Sequence, residues 1–134
     1  MSAEVRPPIV VADEEKNRLD RLARASLERL PDVADELLFE LERADVCASP
    51  SLPPDTVRMN SVVEFETDSG SHLIMRLVYP EDADIAAGRM SILTPIGTAL
   101  IGLSVGQSMN WTDRSGRSRT LHIKAVSTPH AKRG

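Results

Sequence analysis

Thr94-Pro95-Ile96-Gly97-Thr98-Ala99-Leu100-Ile101-Gly102-Leu103-Ser104-Val105-Gly106 is the stretch on which the reading of the fold turns. Thr94 is a helix N-cap residue, its side-chain oxygen able to accept a first-turn N–H, and Pro95 suits the first helical position, where no N–H is needed. Thr98 to Ile101 continue one short helix, and Gly102 ends it. On both sides of this helix the pattern is that of strands. Upstream, Val62 to Glu66 and His72 to Tyr79 are separated by Asp68-Ser69-Gly70-Ser71 and predict a β-hairpin. An acidic loop, Glu81-Asp82-Ala83-Asp84, follows Pro80, and then come Gly88 and a short strand around Met90 to Leu93. Downstream, Gln107 to Trp111 and Arg119 to Val126 predict a second hairpin with a turn containing Gly116, and Ser127 onward reads as a flexible tail.

Before residue 50 the period changes. Arg6-Pro7-Pro8 disfavours helix and leaves an extended lead-in ending in Ile9-Val10-Val11. Asp13 is placed to cap a helix, with Glu14 and Glu15 in the positive field of its first turn and Leu19, Leu22 and Ala23 at helical spacing. Pro31-Asp32 turns the chain into a second helix, where Val33, Ala34, Leu37, Leu38, Leu41 and Ala44 form an apolar stripe and Asp35, Glu36, Glu40 and Glu42 lie mostly off it. Two short helices with facing stripes make an antiparallel hairpin. Residues 50–56, with three prolines between Ala48 and Asp55, read as a semi-rigid linker. The expected organisation is therefore α+β: a lead-in and helical hairpin over 1–49, the linker, a β-sheet domain with one short helix over 57–126, and a tail over 127–134.

Composition narrows the function. Among 134 residues only Phe39, Phe65, Tyr79 and Trp111 are aromatic, too few for a base-stacking platform. The lone Cys47 has no disulfide partner, and neither a signal peptide nor a long apolar run is present, so the cytoplasm is the natural compartment and no membrane partner is expected. Net charge is −4, divided unevenly: residues 1–56 hold 13 acidic against 7 basic side chains, and 57–134 hold 7 against 9. Arg114, Arg117, Arg119, Lys124, Lys132 and Arg133 make the C-terminal hairpin and tail locally cationic. An acidic chain is repelled at long range by a phosphate backbone, so direct nucleic-acid binding is not expected.

No self-contained catalytic motif emerges. His72, His122 and His130 have no Cys or His at zinc-ligand spacing, there is no nucleophile elbow, and Gly97, Gly102 and Gly106 form neither a P-loop nor a dinucleotide fingerprint. No cofactor and no enzymatic activity are expected. One acidic constellation stands out. Asp32 and Asp35, with Glu36 behind them, share a side of the second helix near its start and could hold a divalent ion. Helix capping by Asp32 and the favourable field at the N-terminus account for the two aspartates by local physics alone.

In order along the chain stand Met59-Asn60-Ser61, Leu77-Val78-Tyr79-Pro80, a run from Asp84 through Gly88 and Ser91, and the Pro95-Ile96-x-x-Ala99-Leu100-Ile101-Gly102 core. Together they resemble the Rnk family, regulators of nucleoside diphosphate kinase, within the superfamily of Gre transcription elongation factors. The similarity covers about residues 8–126. It implies an FKBP-like antiparallel β-sheet domain that binds RNA polymerase near its secondary channel, in possible competition with Gre-type factors.

Gre factors insert a long helical hairpin whose acidic tip helps a metal ion cleave backtracked RNA. Helices of 12 to 15 residues reach only about 20 Å at ~1.5 Å per residue, so cleavage is not expected to carry over even with Asp32, Asp35 and Glu36 at the tip. The resemblance thus implies a non-catalytic regulator with a docking surface at Tyr79, Pro80, Glu81, Asp82 and Asp84, together with Pro95 and Ile96. The effect recorded in the Rnk name is expected to be indirect. A binding adaptor that uses the same fold without polymerase is the alternative. Prolyl isomerase activity is not expected, since four scattered aromatics cannot easily line such a pocket.

Overall fold

A computed structural model describes residues 6–127. The fold is mixed α and β. Strand β1 (Val10–Ala12) leads into helix α1 (Asp13–Ala25), and α2 (Pro31–Arg43) leads out into β2 (Asp45–Cys47). β1 and β2 pair in parallel, Val11 opposite Val46. The extended lead-in is thus a strand, and the segment that follows the second helix, unassigned by sequence, is its partner. The helices pack on one another through Leu19 and Ala23 of α1 and Ala34, Leu37 and Leu41 of α2, all buried at helical spacing.

Two caps differ from expectation. Ala12, not Asp13, is the N-cap of α1, and Asp13 instead accepts the Glu14 N–H at 2.7 Å from within the first turn. Leu30, not Asp32, is the N-cap of α2, because Pro31 takes the first helical position and pushes Asp32 one place further in. Glu40, read as lying off the apolar stripe, is 1% exposed. Two arginines neutralise it: Arg43 reaches its carboxylate at 2.7 Å and Arg6 at 2.5 Å. Arg43 also donates to the Pro7 carbonyl at 2.7 Å, strapping the lead-in to α2.

The second part is a five-stranded sheet of β3 (Val62–Thr67), β4 (His72–Val78), β5 (Arg89–Ser91), β6 (Ser108–Thr112) and β7 (Ser118–Ser127), in the order β5-β4-β3-β7-β6. Both predicted hairpins form. The sheet is not wholly antiparallel as expected: β5 runs parallel to β4, with Leu77 opposite Met90. Residues 79–88 double the chain back alongside β4 to the level of Arg76 through single turns at Pro80–Asp82 and Ile85–Ala87, and Gly88 completes the reversal at φ +77°. Ser127, expected to open the tail, ends β7 opposite Val62; residues 128–134 of that tail lie outside the described residues. A bulge where β7 meets Glu64 and Phe65 adds twist and curls the sheet.

Helix α3 (Pro95–Leu100) has the predicted start: Thr94 Oγ1 accepts the Gly97 N–H at 3.0 Å. One hydrophobic cluster joins both parts, from Ile9, Leu19, Leu37 and Leu41 to Phe65, Leu77, Leu100, Leu121 and Ile123. The proline-rich stretch is tied to the segment after α3: Leu52 and Thr56 are buried, Thr56 bridges to Ser104, and Val57 N–H donates to the Leu103 carbonyl at 2.7 Å. Gly102 sits at the seam. It has φ +82°, and a Cβ there would lie 2.8 Å from Ile9 Cβ. Gly102→Ala is expected to cost about 1–3 kcal/mol from strain at this backbone conformation, read as a lower urea midpoint at unchanged slope. An unchanged midpoint would show that the seam accommodates a side chain.

Candidate docking surface

Tyr79, at the end of β4, is buried, and the Arg18 guanidinium of α1 lies 3.8 Å from its ring centroid. Arg18 also reaches Glu81 at 3.5 Å. Tyr79 and Glu81 therefore fasten the sheet to a helix. Asp82 follows in the same turn, and its carbonyl accepts from Arg89 Nε at 2.9 Å. Arg89 faces Asp84 at 3.7 Å, and backbone hydrogen bonds in both directions join these two residues. Those bonds cover the outer edge of β5, which would otherwise present free backbone groups.

Both edges of the sheet border one groove. β5 contributes Met90 and Ser91, the loop before it Asp84 and Ile85, α3 Pro95 and Ile96, and β6 Trp111, in a space of about 700 Å³. Opposite edge strands meet here because the sheet curls without closing. Thr94 holds the α3 side, accepting from Gly97 and donating its hydroxyl to the Ser91 carbonyl at 2.8 Å. Gly97 is required, since a Cβ there would collide with that carbonyl. The groove continues past Trp111 into a second one of about 570 Å³, lined by Asp32, Glu36, Pro95 and Met109.

Of the residues singled out by sequence, Asp84, Pro95 and Ile96 come together on the first groove, and Asp32 and Glu36 border the second. Tyr79, Pro80, Glu81 and Asp82 do not line either. Asp35 borders a neighbouring hollow with Glu36, Phe39 and Glu42, and Glu36 is paired with Arg6 at 3.1 Å. Among the described residues no group of three His, Cys, Asp or Glu is placed to hold a metal ion. Sequence reasoning passed over Ile85, which is 68% exposed beside the acidic loop, and Trp111, whose singularity was the available signal.

The family assignment follows from comparison with known proteins. The pattern described as "Rnk N-terminus" matches residues 7–46, and "Transcription elongation factor, GreA/GreB, C-term" matches 52–128. The chain is 35% identical over 119 residues to the regulator of nucleoside diphosphate kinase of Escherichia coli K12, covering 88% of each. The chain belongs to the Rnk family of the GreA/GreB superfamily. It is 41% identical over 75 residues to the elongation factor GreA of Rhodospirillum rubrum, covering 55% of this chain and 48% of that one. The GreA/GreB structure from Nitrosomonas europaea superposes with a TM-score of 0.71 at 33% identity, covering 89% of this chain and 98% of that one. These relatives of the Rnk-family chain are named as regulators and elongation factors, not as catalysts. Among its described residues no helix is long and apolar enough to cross a membrane.

Burial pushes the Tyr79 phenol above its ordinary pKa; the Arg18 charge opposes this, and Glu15 and Glu81 add to it. A raised folded-state value means the fold favours the protonated phenol. That contribution is complete below the unfolded value of about 10 and is lost as pH rises through the folded one. Arg18→Gln should move the titration of this sole tyrosine further up, measured by ultraviolet absorbance. A downward movement would contradict the Arg18 contact.

Proposed function

We propose that this protein is a non-catalytic regulator that docks on RNA polymerase near the secondary channel and competes there with Gre-type factors. Its docking surface is the β5–α3 rim, with Asp84, Pro95 and Ile96 in contact and Tyr79 to Asp82 holding the rim in place. The single observation that carries the non-catalytic part is helix length. α1 and α2 have 13 residues each, so, read as an FKBP-like domain bearing a helical hairpin, the protein projects about 20 Å at ~1.5 Å per residue. Asp32 and Asp35 then stop short of the polymerase metal. Any effect on nucleoside diphosphate kinase is indirect on this reading, through expression.

The test is a competition measurement between the purified protein and a Gre factor for core RNA polymerase, with RNA cleavage followed in the same backtracked complexes. The expected result is displacement of the Gre factor with no RNA shortening. The double variant Asp84→Ala/Ile96→Ala should bind at least about tenfold more weakly, a loss of ~1.4 kcal/mol or more, while its circular dichroism stays native even though Ile96 packs partly on the core. Asp32→Ala/Asp35→Ala should leave binding unchanged. RNA cleavage abolished by that second variant would overturn the argument from helix length, and failure to bind polymerase would leave an adaptor built on the same fold.

A further inference from the structure

The groove between the sheet edges carries two features that docking does not use. The first is an orphan donor. Trp111 Nε1 is shut off from water and has no hydrogen-bond partner, and it is the one buried side-chain nitrogen or oxygen so placed among the described residues. Buried donors are ordinarily satisfied, and each exception calls for a physical account. Trp111 forms the wall shared by the two grooves, so an acceptor entering from either side comes against the indole.

The second feature is charge. Four ionised side chains line the larger groove: Asp84, Arg89, Asp113 and Arg114. Asp84 is matched by Arg89 at 3.7 Å. Asp113 shares Arg119 with Asp68, each at 3.8 Å, and accepts from the Ser115 hydroxyl and the Ser115 and Arg117 N–H groups. Of these four, Arg114 alone forms no ion pair with a carboxylate of the described residues, and it stands exposed at the mouth. Between mouth and wall the surface is mostly apolar, supplied by Ile85, Met90, Pro95 and Ile96, and its volume of about 700 Å³ suits a small molecule.

We propose that this groove binds a small, largely apolar monocarboxylate, its body against Ile85, Met90 and Ile96 and its carboxylate between Arg114 and the indole N–H of Trp111. In the bound form the indole turns to give its hydrogen to a carboxylate oxygen, removing the orphan donor. A phosphorylated ligand fits less well, because a single unpaired arginine serves one negative charge and the lining offers little else to a phosphate. The ligand lies beneath the rim assigned to docking, but its binding requires no polymerase.

Trp111 is the only tryptophan, so a ¹⁵N-labelled sample gives one indole N–H resonance, and that resonance reports this groove alone. The probes are 4-phenylbutyrate and its uncharged amide. The expected result is a saturable shift of the indole resonance with the acid, about tenfold weaker with the amide and about tenfold weaker in Arg114→Ala, as for loss of one charge-assisted hydrogen bond. Trp111→Phe keeps the aromatic wall and should weaken the acid by a similar factor, followed by ligand-detected saturation transfer. Arg114 is exposed, so its removal leaves the fold intact. An indole resonance that moves with neither probe, or acid and amide binding equally, overturns the assignment. Neither outcome depends on whether the protein docks on polymerase.

Discussion

The rest of the structure hangs on a short extended segment, Ile9 to Ala12, held from both sides by the backbone. Val10 N–H donates to the Gly102 carbonyl at 3.2 Å, and the Ile9 carbonyl accepts from Asp45 N–H at 2.9 Å. The first bond reaches the end of α3 and so the sheet; the second reaches the strand that leaves α2. Ile9 is itself in the core. Gly102 N–H donates onward to the Val57 carbonyl at 2.9 Å, which fixes the start of the β-sheet part to the same point. Only a residue without a Cβ fits where Ile9 crosses, and Gly102 meets that demand while holding a left-handed conformation.

That crossing explains how two short helices keep a fixed relation to a sheet. Alone, helices of 13 residues are marginal in water. Here their apolar stripes share one cluster with the inward face of the sheet, and polar contacts surround it: Glu15 accepts from Arg58 Nε at 2.9 Å and from Met59 N–H at 3.1 Å, while Arg18 covers Tyr79. Arg58 reaches on to Ser49 Oγ at 2.7 Å. The helices are carried on the sheet rather than tethered to it. The helices therefore have a short reach and a fixed direction.

Local signals were legible in the sequence and non-local ones were not. Thr94-Pro95 announced α3 because capping is decided within four residues, and both hairpins followed from period-two runs around turn residues. The parallel pairing of β5 depended on how residues 79–88 double back, which no local pattern encodes. The burial of Glu40 was hidden for the same reason: its partners include Arg6, which is 34 positions away, and an isolated glutamate on a helix reads as solvent-facing. Ile85 and Trp111 were passed over because the groove they share exists only once opposite edges of the sheet curl toward each other. Asp84, Pro95 and Ile96 were found through ordered family motifs, not through any chemistry of their own.

Equilibrium unfolding in urea followed by two signals tests most directly whether helices and sheet form one unit. Trp111 fluorescence reports the sheet edge, and far-ultraviolet circular dichroism is dominated by α1 and α2. Coincident transitions with one midpoint and one slope are predicted, because the shared core and the Ile9–Gly102 crossing leave neither part able to unfold alone. A helical signal lost at lower urea, with the tryptophan signal still native, would contradict the account and make the helices an independently melting appendage.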